Sequence, residues 1–349
     1  MNEMKSIFKL TMVVLLLFSA TLAHAAKAEY TKQFRRGWTK SSVTALKITN
    51  KFGEIKINDT GGDSVTIKVV ITVDNPSSGR AKELMNMIQV DFQKSGGLVS
   101  AETRIEDSFR SKQKFSIDYL INVPKDRELN ITNRYGSVTV NELDAKGSFA
   151  ISYGSMTAGK MKAPAGNPVR ISISYGKADL ETINEAVMEF RYSKLYAGEI
   201  NQLTLNSRYS DINLTKTGSL TLDSKYDAVS TDEVDDLKSV SKYTNYKVGL
   251  LTGSVDLDTG YGSVRISRVD ARFDRIKIVN SYGGINIGLN ELNYRLQAVC
   301  DYCELNYPDS RYKGNRIRDN HRFSLDGNVG AGGGSVSITS RYGGVKLMD

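Results

Sequence analysis

Apolar and polar residues alternate along most of this chain, and from about Asn130 onward the alternation recurs with a fixed break in phase. In "IKIVNSYGGINI", Ile276 and Ile278 lie six and four residues before Tyr282, and Ile285 and Ile287 lie three and five after it. Val336, Ile338, Val345 and Leu347 take the same places around Tyr342. Period-two alternation on each side predicts two short strands, each with one buried face. The parity changes from even to odd across the tyrosine, which a straight strand cannot do. The chain must therefore bend at the Tyr-Gly step, where glycine tolerates the backbone angles of a corner. The same parity puts the tyrosine in register with the inward residues before it, as part of an internal spine.

The marker recurs at Tyr135, Tyr153, Tyr175, Tyr192, Tyr209, Tyr226, Tyr243, Tyr261, Tyr282, Tyr302 and Tyr342, mostly at steps of 17–22 residues. A repeat of that length built from Val, Ile, Thr and Tyr predicts an all-β chain, a parallel β-solenoid (β-helix) with rungs of 17–22 residues, and disfavours helical arrays. Eleven or twelve rungs spaced as strands are would make a rod of about 50 Å. The position two before the marker is polar and small in most repeats: Asn50, Asn133, Ser207, Ser224, Ser241, Thr259, Asn280 and Ser340, with Cys300 in the same column. Ile151, Ile173 and Phe190 depart from it. Such a column at a buried corner is expected to hydrogen-bond along the stack. With the tyrosines stacked inside, Tyr226→Ala is expected to cost about 3 kcal/mol or more.

The N-terminal portion reads differently. "ALKITNKFGEIKIND" (45–59) carries the pattern with Phe52 as marker, an early rung set apart from the rest. Residues 64–74 read as a strand, 75–88 as one short helix with Leu84, Met87 and Ile88 on one face, and 88–106 as a hairpin around Gly96–Gly97. Residues 26–128 are expected to form a β-rich cap with that helix, and 129–349 the repeat array. Two irregularities stand out. The repeat at Tyr243 has Ser239 and Ser241 in apolar slots, with Tyr246 at +3. The 40-residue step from Tyr302 to Tyr342 holds 310–335, a degenerate rung or a loop excursion.

Residues 1–25 combine Lys5 and Lys9, an apolar run from Leu10 to Phe18 and an Ala-rich exit, the pattern of a cleaved signal peptide. That run is too short for a transmembrane anchor, and none follows it. The expectation is an exported protein of the periplasm, cell surface or medium, with no transmembrane span in the mature chain. A net charge of +8 from 47 basic and 39 acidic residues is too mild to indicate nucleic acid. An anionic glycan or an envelope protein is the more natural partner outside the cytoplasm.

The quoted segments, with "NRYGSVTV" and "GAGGGSVSITSRYGGVKL", resemble the bacterial families of exported β-solenoids classed as putative adhesins, including the head GIN domain type. The resemblance covers most of the mature chain and implies a non-catalytic, adhesin-like binding or scaffold protein of the envelope, with no cofactor. A polysaccharide-active β-helix enzyme and a self-associating structural protein are the alternatives. Candidate chemistry is sparse. His321 lies in a polar loop and is read as solvated. Cys300 and Cys303 form a CxxC pair, but each fills a repeat slot, so structural use is favoured over redox or metal work, with a local disulfide possible. "DAVSTDEVDDLK" (227–238) lacks the ligand order of a calcium loop and reads as a solvated turn. The candidate ligand contacts are Arg311, Lys313, Arg316, Arg318 and Arg322, a basic cluster in the 310–335 excursion.

Overall fold

The computed structural model describes residues 28–348; the signal-peptide expectation for 1–25 lies outside them. The described chain is all-β. Its 26 strands join in one long, mostly parallel sheet, and Ser78–Asn86 forms the α-helix.

Identical positions of successive repeats lie side by side. Strand Lys177–Arg191 pairs in parallel with Lys194–Arg208, which pairs with Asp211–Lys225, which pairs with Ala228–Lys242. The pairing offset equals the sequence period, so each inward residue stacks on its counterpart. Leu195, Ile212 and Val229 are buried on one side of the bend, and Leu205, Leu222 and Ser239 on the other. Each large apolar side chain so buried contributes roughly 1.5–3 kcal/mol. Of the two serines at Tyr243, Ser239 fills an apolar slot and Ser241 belongs to the polar column, and both make polar contacts. Ser239 Oγ lies 2.7 Å from the buried Tyr246 hydroxyl and donates to the Leu222 carbonyl, while Ser241 Oγ donates to Thr259.

The bend falls where the parity break places it, but by another mechanism. Each marker tyrosine, and Phe52, itself takes the left-handed backbone conformation, with φ of 51–61°. The following glycine does not. At that position the lack of a side chain provides space: a Cβ on Gly136 would lie 1.9 Å from the Gly53 carbonyl oxygen, and one on Gly283 equally close to that of Gly262. The polar column bridges the corner. Asn133 Nδ2 donates to the carbonyls of Gly53 and Ser137, and Asn280 Nδ2 to those of Gly262 and Gly283.

Left-handed markers overturn the expectation of an internal spine. Side chains alternate between faces only while every residue is extended. A left-handed residue leaves that alternation, and the ring swings outward. The eleven marker tyrosines are 41–53 % exposed.

Order in space departs from order in sequence at the far end. Strand Gly334–Arg341 lies between Arg275–Ser281 and Tyr294–Asp301, in parallel with both. The last repeat of the chain is thus inserted ahead of the one that precedes it. Residues 312–329 are neither a rung nor a loop: Tyr312–Asp319 and Arg322–Val329 form an antiparallel hairpin that continues the sheet beyond Tyr294–Asp301. At the other end, Glu29–Thr39, which the sequence pattern did not single out, pairs antiparallel with Ser64–Asp74. The helix packs Ala81, Leu84 and Met85 against this end of the core.

Candidate binding surface

The outward tyrosines form one aromatic ladder. From Tyr135 through Tyr282 to Tyr342 and Tyr302, neighbouring ring centroids are 4.7–5.1 Å apart, with planes within about 21° of parallel. Phe52 extends it at one end. At the other, His321, exposed in the hairpin turn in keeping with its solvated reading, also stacks on Tyr302 at 4.6 Å. A left-handed tyrosine costs about 1–2 kcal/mol relative to an extended one. Each stacked contact returns about 0.5–1.5 kcal/mol. The stacking term therefore does little more than offset the left-handed strain, and what the rings add to stability comes from their buried halves. None of the marker hydroxyls has a hydrogen-bond partner among the described residues.

A shallow, widely open depression of about 1020 Å³ runs beside the ladder from Tyr175 to Tyr243, with Lys177, Lys194, Asp211 and Asn245 on its bank. On the other side of the rings the residue before each tyrosine is basic in four consecutive repeats: Arg191, Arg208, Lys225 and Lys242 pair in register. Arg191 is held by Glu189, Arg208 by Asp223 and Lys177 by Asp179. Lys194, Lys225 and Lys242 have no carboxylate partner among the described residues.

The floor of the depression is a polar chain. Ser193 N–H donates to Ser210 Oγ, Ser210 N–H to Asp227 Oδ1, and Ser224 Oγ–H to Asp227 Oδ2. Asp227 is buried, and loss of solvation raises its carboxyl above the ordinary value, with the donors from Ser224 and Ser210 opposing that shift. The acidic stretch that follows is strand rather than turn: Glu233 pairs with Lys216 at 2.8 Å, and Asp236 accepts from Ser254. No group of three or more metal-ligating side chains occurs among the described residues.

The basic candidates share the terminal hairpin and its approach, and most are already engaged. Arg311 donates to the carbonyls of Glu291 and Leu292. Arg316 donates to Asp309 and to the Tyr307 hydroxyl and lies over the Tyr312 ring, which holds the Asp309 carboxyl below its ordinary value. Arg318 lies over Phe323, and Arg322 is 3.8 Å from Asp301. Lys313 projects from the same exposed strand, at the sheet edge. Cys300 and Cys303 are joined as a disulfide across the corner at Tyr302, so the local bond is realised and no free thiol remains among the described residues.

The fold and this surface define an all-β, repeat-built protein with a continuous exposed aromatic row. No family profile matches the chain, and no curated protein does. Among solved structures it is similar to a putative cell adhesion protein of Clostridium sporogenes (8 % identity, 91 % of this chain and 99 % of that one, TM-score 0.20). It is also similar to a putative adhesin of Parabacteroides merdae (16 % identity, 73 % and 95 %, TM-score 0.32). A third is a putative lipid binding protein of Parabacteroides distasonis (9 % identity, 91 % and 97 %, TM-score 0.30). No described helix is long and apolar enough to cross a membrane.

Proposed function

We propose that this chain is a non-catalytic, exported binding or scaffold protein of the bacterial cell envelope, built as a parallel β-solenoid with an N-terminal cap over 26–128. The observation that carries the reading is the row of half-exposed tyrosines whose hydroxyls have no partner within the described chain. Eleven left-handed aromatic positions, each leaving a hydroxyl and a ring edge in solvent, are accounted for by what they present. The disulfide agrees with an oxidising compartment outside the cytoplasm. Lys313, Arg316, Arg318, Arg322 and Arg311 form a secondary contact region at the hairpin, with Lys313 and Arg318 the least committed internally.

Co-sedimentation of the purified chain with isolated envelope fractions, together with an assay for new sugar ends, tests this. Retention without new ends is expected. Turnover of any polysaccharide, or failure to be retained on every fraction, would overturn the reading.

A further inference from the structure

We infer that the ladder from Tyr175 to Tyr243 seats a linear acidic polysaccharide, laid along the stack with one sugar per repeat. This rests on the binding-protein reading above and names the ligand class and the register.

Spacing is the first argument. The hydroxyls belong to rings repeating every 4.7–5.1 Å. An extended 1,4-linked pyranose chain advances by nearly that distance per sugar, so successive sugars meet equivalent groups. A peptide strand lying lengthwise advances only about 3.3 Å per residue and falls out of step at once.

The second argument is the chemistry on offer. Ring faces are occupied by neighbouring rings, so sugars cannot stack on them. What remains is a row of ring edges and free phenol hydroxyls, each able to donate and accept. A polyol matches such a row; an apolar chain does not. The third is charge. The rings are flanked by Arg191, Arg208, Lys225 and Lys242 on one side and by Lys177 and Lys194 on the side of the depression. Three of these six lack an internal carboxylate; of the two acids beside the rings, Asp211 accepts from Asn213 Nδ2 and Asp227 is turned inward onto Ser210 and Ser224. Carboxylates repeating along a polymer would meet the unneutralised lysines in the same period.

Oligogalacturonates of graded length, titrated into the purified chain by calorimetry, test this. Affinity is expected to rise with length up to about five sugars, one for each tyrosine from Tyr175 to Tyr243, and to fall with added salt. The triple variant Tyr192→Phe, Tyr209→Phe, Tyr226→Phe keeps the stack and removes three hydroxyls; it should weaken binding roughly tenfold without changing the melting temperature. Lys225→Gln with Lys242→Gln should do the same and flatten the salt dependence. Binding untouched by both variants would overturn the assignment to the ladder. Equal binding of a neutral 1,4-linked glucan would overturn the acidic class, and binding only to phosphatidylglycerol vesicles would overturn the glycan. If envelope fractions still retain the chain while oligogalacturonates of every length fail to bind, this inference falls and the broader reading stands.

Discussion

The ladder makes an unusual forecast about glycine, which can be worked through at Tyr209. Its ring stacks on Tyr192 at 4.9 Å and on Tyr226 at 4.7 Å, and its backbone has φ of 53°. Truncation to alanine removes two stacked contacts, each about 0.5–1.5 kcal/mol, and leaves a Cβ in the left-handed region. The expected loss is about 1–3 kcal/mol, below what an internal ring would give. Truncation to glycine removes the same contacts but relieves the left-handed strain, returning about 1 kcal/mol. Tyr209→Gly should therefore be more stable than Tyr209→Ala by about 1 kcal/mol, the reverse of the usual order within strands. Tyr209→Phe should fall within about 0.5 kcal/mol of the parent, because the hydroxyl has no internal partner. Urea unfolding of the three variants beside the parent reads these differences directly. An alanine variant more stable than the glycine one would refute the left-handed corner, and a Phe variant losing more than about 1 kcal/mol would mean that the hydroxyl is bonded within the fold.

Two glycines should respond in opposite ways to alanine. Gly283→Ala forces a Cβ to within 1.9 Å of a carbonyl oxygen and is expected to cost about 1–3 kcal/mol, whereas Gly260→Ala, which meets nothing within 4 Å, should be neutral or slightly stabilising; thermal melts compare them. Asp227 gives a pH signature. Its folded carboxyl is raised, so its contribution to stability is fully present below the ordinary value of 3.8 and is lost as pH rises through the raised folded value. Asp227→Asn should remove that decline, and parallel stability–pH curves for parent and variant would contradict the account. Cys300→Ser with Cys303→Ser opens a four-residue loop and should cost about 2 kcal/mol, a loss that reductant reproduces in the parent but not in the variant.

The strands and bends were legible in the sequence because burial enforces phase: Ile276 and Ile278 on one side, and Ile285 and Ile287 on the other, fall inside where their alternation puts them. The corner column was legible too, because Asn133 and Asn280 are small, polar and periodic. The outward turn of the tyrosines was not. Parity predicts direction only for extended residues, and nothing in a Tyr-Gly pair announces which of the two takes the left-handed conformation. The disulfide is only a possibility from the sequence, because each cysteine has a repeat slot of its own. Yet those slots face each other, as the bond from Asn280 to the Gly283 carbonyl shows, so thiols in both stand within reach. The inserted position of Gly334–Arg341 was invisible for another reason. Val336 and Ile338 present the same inward pattern as Leu296 and Ala298, and alternation carries no information about which neighbour a strand selects.

That insertion has a consequence for how the chain is completed. Most repeats can dock on a predecessor already in place, as a chain emerging from its N-terminus would build them. The repeat at Tyr302 cannot, because its parallel neighbour is formed by the last residues of the sequence. In the finished fold the closing segment sits between Arg275–Ser281 and Tyr294–Asp301, as a keystone does, and supplies the parallel partner of both. A chain shortened by its final repeat is therefore expected to expose two open strand edges, the feature that proteases and aggregation exploit.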